Sequence, residues 1–144
     1  MHFLGTSEYA MDERGRVPLP PKYRDAFREG IVLSQGSPDP CLRVYTQSSF
    51  EEQARDWTAL SAMRAKGRDL RRVLFSRSFD VELDNQNRIL IPAALRTYAS
   101  LDGKVLVIGA GECLEIWSPA AYAQHMSRID ADLEATLESI EARE

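Results

Sequence analysis

The chain has 144 residues, of which 44% are hydrophobic and 28% are charged, and its formal net charge is −4 at pH 7. This length fits one ordinary domain or two very small ones, and the composition excludes a collagen-like or wholly disordered chain. The longest aliphatic run, residues 105–108, is too short to span a membrane, and the N-terminus lacks the pattern of a secretion signal, so we expect a cytoplasmic protein with no membrane partner.

Charge is distributed unevenly along the chain. Residues 61–80 contain six basic and two acidic residues, and residues 120–144 contain six acidic and two basic ones. A negative net charge argues against nucleic-acid binding, but an acidic tail can mask a basic surface elsewhere. A solvated helix face is the simpler interpretation of the basic segment, and contact with a phosphate backbone is the alternative.

Two copies of one pattern are related by a shift of 72 residues, with copies at 3–53 and 75–125. Such self-similarity indicates a duplicated supersecondary unit. We therefore divide the chain into a first repeat (1–53), a helical connector (54–74), a second repeat (75–125) and an acidic C-terminal helix (126–144). These residues are identical at the shift: Phe3 and Phe75, Asp12 and Asp84, Arg16 and Arg88, Pro20 and Pro92, Arg24 and Arg96, Cys41 and Cys113.

Each copy begins with a predicted strand and a tight turn. Phe79, Val81 and Leu83 alternate with acidic residues, which is the period of a half-buried strand. The turn that follows contains Gly15 in the first copy and Asn87 in the second, and both residue types tolerate positive φ. A hairpin is therefore expected at the start of each copy.

The rest of each copy predicts a short helix and a second pair of strands. Pro20 and Pro92 end the strand after the turn and can start a short helix. In the second copy, two apolar runs then flank the Gly-rich turn at 109–111. Each half is therefore expected to be a small β unit with helices attached.

Helical spacing predicts further helices outside the two β units. The spacing of Phe50, Trp57 and Leu60 predicts a helix over 48–65, ended by Gly67, and a second short helix over 68–73. Ser118 and Pro119 form a helix start. We expect core packing for the C-terminal apolar stripe, with assembly as the alternative: Met126, Ile129, Leu133, Leu137 and Ile140.

Residues that could carry catalysis are sparse. His2 and His125 are the two histidines, and neither lies in a nucleophile motif or in a metal-ligand spacing. Cys41 and Cys113 are expected to be reduced, buried thiols, and Tyr45, Trp57 and Trp117 to be core residues. We expect no enzyme, metal or cofactor. An enzyme with Asp12 or Asp84 as a catalytic carboxylate would require an apolar cavity around that residue.

The motif Asp-x-x-x-Arg is the most informative feature because it occurs in both copies. Its Asp can accept hydrogen bonds from the turn and orient the Arg guanidinium. In the first copy, Arg14 and Arg16 flank Gly15, so two guanidinium groups project from a compact tip that suits phosphates or guanine edges. In the second copy, Arg88 is the only basic residue of the turn. A structural salt bridge within the hairpin is the alternative interpretation.

These paired motifs resemble the MraZ family, bacterial proteins built from two tandem AbrB/SpoVT-type swapped-hairpin units. The strongest marks are residues 12–16 followed by Pro20, and residues 84–92. The resemblance implies an α+β fold, namely a double-split β-barrel formed by two tandem swapped-hairpin repeats with peripheral helices. Pro18 interrupts a strand that is usually free of proline, which indicates an edge position or a bulge.

The resemblance also implies a function. It is that of a sequence-specific, DNA-binding transcriptional regulator acting on repeated boxes upstream of the division and cell-wall gene cluster, as a ring-shaped homo-oligomer associated with the nucleoid. A ring-forming structural or interaction protein without DNA binding is the alternative. Carried over by position, the family's DNA-contacting loop falls on residues 12–16, with Arg14 and Arg16 as contacts. The full set of residues expected at double-stranded DNA is Asp12, Arg14, Gly15, Arg16, Lys22 and Arg88.

Overall fold

A computed structural model describes residues 2–142 of the chain. The strands are β1 (Thr6–Ala10), β2 (Arg16–Pro18), β3 (Ile31–Gln35), β4 (Leu42–Thr46), β5 (Ser78–Val81), β6 (Arg88–Leu90), β7 (Lys104–Gly109) and β8 (Leu114–Trp117). The helices are α1 (Gln47–Thr58), α2 (Ala65–Ser76), α3 (Ala93–Tyr98), α4 (Pro119–Ala131) and α5 (Leu133–Glu141), and a 3₁₀ turn spans Pro21–Tyr23.

The strands form an open six-stranded antiparallel sheet and a separate two-stranded ribbon. The order of the sheet is β1-β7-β8-β4-β3-β5, and the ribbon consists of β2 and β6. The described part of the sheet ends at β1 on one side and at β5 on the other. The fold is therefore mixed α and β with two tandem repeats, as expected, whereas closure of the sheet into a barrel is not confirmed.

The first strand of each repeat pairs with the other repeat. Strand β1 lies beside β7, with Thr6 opposite Ile108, and β5 lies beside β3. Strands β4 and β8 join the two halves, with Val44 opposite Leu114. Exchanging the repeats by the 72-residue shift maps the strand order onto itself in reverse. Neither repeat therefore has a complete sheet of its own.

The predicted tight turns form, but the predicted local hairpins do not continue along the strands. In the first copy, the N–H of Asp12 donates to the carbonyl of Arg16 at 3.0 Å, which closes the turn. The strands on either side then diverge, because β1 pairs with β7 and β2 pairs with β6. Pro18 lies opposite Arg88 in the two-stranded ribbon, so the expected edge position is confirmed.

One hydrophobic core contains residues from both repeats. Its fully buried members come from β2, β3, β4, β6, β7 and β8 as well as from α3 and the segments beside the strands. The largest of them are Leu19, Ile31, Leu33, Leu42, Ile89, Ile91, Leu95, Leu114 and Ile116. The two repeats are therefore expected to fold and unfold together.

The expected burial of both cysteines is confirmed. Cys41 packs with Ile108 and Trp117 of the second repeat, whereas Cys113 packs with Val32 and Tyr45 of the first. Burial raises the pKa of each thiol to about 12. Both side chains are therefore protonated, unreactive packing residues at neutral pH.

The predicted helix over 48–65 was wrong at its end. Helix α1 begins with a capping box and ends at Thr58, and α2 begins at Ala65. Gly67 lies inside α2 and does not end a helix. A Cβ at Gly67 would overlap the Ser61 carbonyl oxygen, so this glycine allows the helix to approach the preceding segment closely. Trp57, expected in the core, is half-buried against Phe50 and Phe75.

The C-terminal stripe divides between two helices and is exposed at its end. Ser118 caps α4 by accepting a hydrogen bond from the Ala121 N–H, as the sequence predicted. Helix α5 begins after Asp132, and every residue over 131–142 is exposed. The expectation of core packing was therefore wrong for α5. None of the helices between residues 2 and 142 combines the length and apolar character needed to cross a bilayer.

The shared core predicts one cooperative unfolding transition. We expect Ile89→Ala, which removes a fully buried side chain from β6, to lower the free energy of unfolding by about 2–5 kcal/mol. The exposed neighbour Leu90 supplies the control, since Leu90→Ala should change that free energy by no more than about 0.5 kcal/mol. Urea denaturation followed by circular dichroism measures both variants. Two separate transitions in the wild type would contradict a shared core.

Candidate functional site

The Asp12 carboxylate organises turn 1 (residues 12–16). Its Oδ1 accepts hydrogen bonds from the N–H groups of Arg14 at 3.0 Å and of Arg16 at 2.9 Å. Its Oδ2 accepts a third from Arg16 Nε at 2.6 Å. The bond from the Arg16 N–H is the main cause of a lowered Asp12 pKa, and it outweighs partial desolvation. A charged Asp12 therefore fixes both the turn and the Arg16 guanidinium.

Turn 2 (residues 84–88) repeats this geometry. Asp84 Oδ1 accepts from the N–H groups of Gln86 at 2.8 Å and Arg88 at 3.0 Å, and Oδ2 accepts from Arg88 Nε at 2.9 Å. Desolvation would raise the pKa of Asp84, but the hydrogen bonds from Arg88 and Gln86 together lower it. The Asp–Arg salt bridge that was the alternative, structural interpretation of the motif thus exists in both turns.

The two turns meet across the ribbon of β2 and β6. Arg88 Nη1 lies 3.6 Å from Asp12 Oδ2, while Arg88 Nε contacts Asp84. Arg88 therefore faces one carboxylate from each turn. The structure thus brings together three of the residues expected at the DNA contact, Asp12, Arg16 and Arg88.

Arg14 and Lys22 present their charges to solvent. Both residues are exposed, and within residues 2–142 no carboxylate lies close enough to either to form an ion pair. Lys22 belongs to the 3₁₀ turn that precedes Arg24, and its Nζ lies 5.0 Å from the centre of the Tyr23 ring. These two cations are available to an external anion.

An arginine from each repeat supports the turn of the other repeat. Gly15 has φ of 87°, and a Cβ there would lie 2.6 Å from Arg96 Nη1, so the guanidinium of Arg96 packs on this glycine. At the equivalent place in turn 2, Arg24 Nε donates to Asn87 Oδ1 at 3.4 Å. Arg24 and Arg96 align at the 72-residue shift, but no role was predicted for either of them from the sequence. Their equivalent positions in the two copies were the sequence feature that could have indicated a shared role.

Asn87 replaces glycine in turn 2 and adds an anchor. Its φ is 61°, in the left-handed region, which Asn tolerates better than most residues. Its side-chain Nδ2 donates to the Leu19 carbonyl at 2.7 Å, and the Leu19 N–H donates to the Asn87 carbonyl at 3.0 Å. Turn 2 is therefore tied to the first repeat through the buried Asn87, whereas Asn85 and Gln86 at its tip are exposed.

Comparison with known proteins places the chain in a family. Residues 2–73 and 74–143 each match the family model described as "MraZ protein, putative antitoxin-like". The chain belongs to the MraZ family. It is 42% identical to the "Transcriptional regulator MraZ" of Nocardioides sp., over 91% of this chain and 90% of that one. Proteins of the same name from Roseiflexus sp. and Kocuria rhizophila are 39% and 38% identical, over 90% and 96% of both chains.

The cavity beside turn 1 does not suit a catalytic carboxylate. It has a volume of about 670 Å³ and lies between the turn and α3, where Asp12, Glu13, Arg96 and Asp102 are among its lining residues. This lining mixes charged with apolar residues such as Met11 and Leu101, whereas an enzyme with Asp12 would require a predominantly apolar cavity. Asp12 is also held ionised by three hydrogen bonds. The MraZ relatives named above are called transcriptional regulators, a class of protein distinct from enzymes.

The packing of Arg96 on turn 1 predicts a specific effect at Gly15. Gly15 and Gly111 have nearly equal φ values of 87° and 85°, but a Cβ at Gly111 would meet nothing within 4 Å. Alanine should cost about 1–2 kcal/mol at either position through backbone strain. We expect Gly15→Ala to lower the free energy of unfolding further, because Arg96 must move. Urea denaturation of both variants tests this, and equal losses would contradict the contact.

The lowered pKa of Asp12 predicts a pH dependence. The charged carboxylate stabilises the fold above its ordinary pKa of 3.8, and this contribution is lost as the pH falls through the lowered pKa of the folded state. The difference in free energy of unfolding between wild type and Asp12→Asn should therefore be constant near neutral pH. It should shrink only at a pH below the ordinary pKa of 3.8. Urea denaturation at a series of pH values measures it.

Glu13→Gln is the control for this measurement. Glu13 is exposed one residue along the same turn, and its substitution should change stability little at any pH. A difference for Asp12→Asn that stays constant down to the acid transition would show that the carboxylate is not held in its charged form.

Proposed function

We propose that the protein is a sequence-specific, DNA-binding transcriptional regulator whose turn 1 contacts double-stranded DNA. The family match and the names of the relatives support the class of function. One structural observation supports the site: Arg14 is exposed at the tip of a turn that Asp12 holds rigid. The backbone of the turn is preorganised and loses little freedom on binding, and the unpaired Arg14 guanidinium that it presents suits a phosphate or a guanine edge.

The six expected residues have different roles in this proposal. Arg14 and Lys22 make direct contacts, because both carry exposed positive charge. Arg16 contributes the Nη groups that Asp12 does not bind, since Asp12 engages its Nε. The Asp12 carboxylate would repel phosphates, and it acts by positioning the turn. Gly15 keeps the tip narrow.

Turn 2 is a supporting element in this proposal. Arg88 is placed between Asp12 and Asp84, and two nearby carboxylates neutralise its charge. Gln86 and Asn87 carry no charge, and Asn87 is buried against Leu19. DNA contact is therefore proposed for one turn per chain, and Arg88 contributes by joining the two turns.

The small number of cations per chain favours assembly. Two or three phosphate contacts would bind DNA weakly, with a shallow dependence on salt of about 0.9 per contact in log K against log salt. A homo-oligomeric ring presents several turns together, and repeated boxes on the DNA would engage neighbouring copies at high effective concentration. We propose such a ring, acting in the cytoplasm at the nucleoid on repeated boxes upstream of the division and cell-wall gene cluster.

The proposed barrel would also fix where the two turns lie relative to the ends of the sheet. In a double-split barrel, the ribbon of β2 and β6 would lie across the opening between the two ends of the sheet. The contact of Arg88 with Asp12 supports this position, because it joins the two turns at the ends of the ribbon.

Arg14→Ala tests the DNA contact, and Gln86→Ala is its matched control at the equivalent position of turn 2. Fluorescence anisotropy would measure binding to DNA from upstream of this protein's own gene and to a shuffled sequence, over a series of salt concentrations. We expect Arg14→Ala to weaken binding and to reduce the salt slope by about 0.9 if one phosphate contact is lost. Gln86→Ala should bind like wild type.

Arg14→Lys separates charge from geometry. It keeps one positive charge but lacks the planar fork of guanidinium, so binding to shuffled DNA should persist while preference for the upstream sequence falls. A folded, assembled wild type that ignores both DNA sequences would refute the proposal and favour a structural or interaction protein.

A further inference from the structure

Within residues 2–142, helix α5 contacts mainly α4, at the junction between the two helices. Every residue over 131–142 is exposed, including three apolar ones. Leu133, Leu137 and Ile140 are 47%, 53% and 53% exposed. A helix of nine residues is unstable in water by itself, so packing of its apolar face is what would hold it. The described part of the chain does not supply this packing, so a second copy of the chain is the candidate for it.

The surface of α5 combines an apolar row with an acidic row. Leu133, Leu137 and Ile140 follow helical spacing on one face. Each is followed directly by a glutamate, which places a row of carboxylates beside the apolar row: Glu134, Glu138 and Glu141. Two copies of α5 packed against each other would bring these carboxylates together, and like charges at close range oppose that pairing.

The start of α2 carries the complementary surface. Met63 and Leu70 are 90% and 47% exposed, and they are large apolar side chains. Arg64 and Lys66 lie between them in sequence and are exposed, and the described residues contain no carboxylate paired with either. Apolar and basic groups thus occur together here, as apolar and acidic groups do on α5.

Two other basic residues of α2 are engaged within the chain. Arg68 donates to the Ala62 carbonyl at 2.9 Å, and Arg72 forms an ion pair with Asp69 at 2.8 Å. Arg71 forms no ion pair among the described residues but is half-buried, so the fully exposed and unpaired positive charge of the α2 surface lies at its N-terminal end, beside Met63. That position is where a short acidic helix would find both an apolar contact and opposite charge.

We propose that α5 of one copy packs on the start of α2 of a neighbouring copy. The apolar row contacts Met63 and Leu70, and the acidic row faces Arg64 and Lys66. The two surfaces occupy different parts of the chain, so the contact is head-to-tail, and head-to-tail contacts that close form rings. This inference rests on the assembly proposed above and is independent of the contact between turn 1 and DNA.

Two charge-reversed variants test the pairing. Arg64→Glu/Lys66→Glu makes the α2 surface acidic, and Glu138→Lys/Glu141→Lys makes the end of α5 basic. Both changes agree with the helix dipole, since acids favour the start of a helix and bases its end, so each fold should be retained. Glu52→Lys/Asp56→Lys on α1 matches the change of net charge in the α5 variant, at exposed positions outside both surfaces.

Sedimentation velocity without DNA is the measurement. The wild type and the α1 control should assemble, and each charge-reversed variant alone should need about tenfold higher concentration for half assembly. An equimolar mixture of the two variants should assemble again, because each reversed surface then meets an opposite one. Circular dichroism confirms that each variant is folded.

Several outcomes would overturn the proposal. A monomeric wild type, normal assembly of either charge-reversed variant alone, or failure of the mixture to assemble would each do so. If Arg64→Glu/Lys66→Glu assembles normally but loses DNA binding, the α2 surface is a DNA contact instead. Anisotropy with a single DNA box and Arg14→Ala tests turn 1 separately, so failure of the DNA proposal is distinguishable from failure of this one.

Cross-linking supplies a second measurement that does not depend on charge. Leu70→Cys and Leu137→Cys place one thiol on each surface, and the native cysteines are buried. Under oxidation, a mixture of the two variants, one enlarged by a tag, should form a covalent heterodimer. Leu137→Cys alone should remain monomeric under denaturing conditions. A homodimer of Leu137→Cys in place of the heterodimer would show that α5 helices pair with each other, and the proposal would be wrong.

Discussion

The exchange of first strands between the two repeats is the constraint on which the rest of the structure depends. Because β1 completes the sheet of the second repeat and β5 that of the first, each turn lies against the other repeat. Arg96 can then pack on Gly15, Arg24 can bind Asn87, and Arg88 can reach Asp12. The geometry of the turns is therefore a property of the whole fold, although each turn is also stabilised by its own aspartate.

Local patterns in the sequence predicted the features that depend on local physics. The turn residues Gly15 and Asn87 have the positive φ that their residue types indicated, and Ser118 caps α4. The duplicated cysteines are buried because equivalent positions in a repeat share an environment. The resemblance to the MraZ family is confirmed by family matches in both halves.

Features that depend on contacts between residues far apart in the chain could not be predicted from the sequence. Alternation predicts a strand but does not say which strand it pairs with, so the local hairpins were wrong. Gly67 was predicted to end a helix because its close approach to Ser61 cannot be read from the local sequence. The stripe on α5 correctly indicated an amphipathic helix, but periodicity does not identify what covers it. The contact of Arg88 with Asp12 likewise joins residues 76 positions apart in the chain.

The near-symmetric fold presents two unlike tips, and this difference has a consequence for the kind of sequence it can recognise. Arg14 in turn 1 corresponds to Gln86 in turn 2. A protein with two identical reading heads related by a twofold axis matches a palindrome, whose half-sites run in opposite directions. Under the proposed contact through turn 1 alone, a single subunit would have a polarity along the DNA. The proposed head-to-tail assembly would preserve that polarity, and its natural target would then be a series of direct repeats.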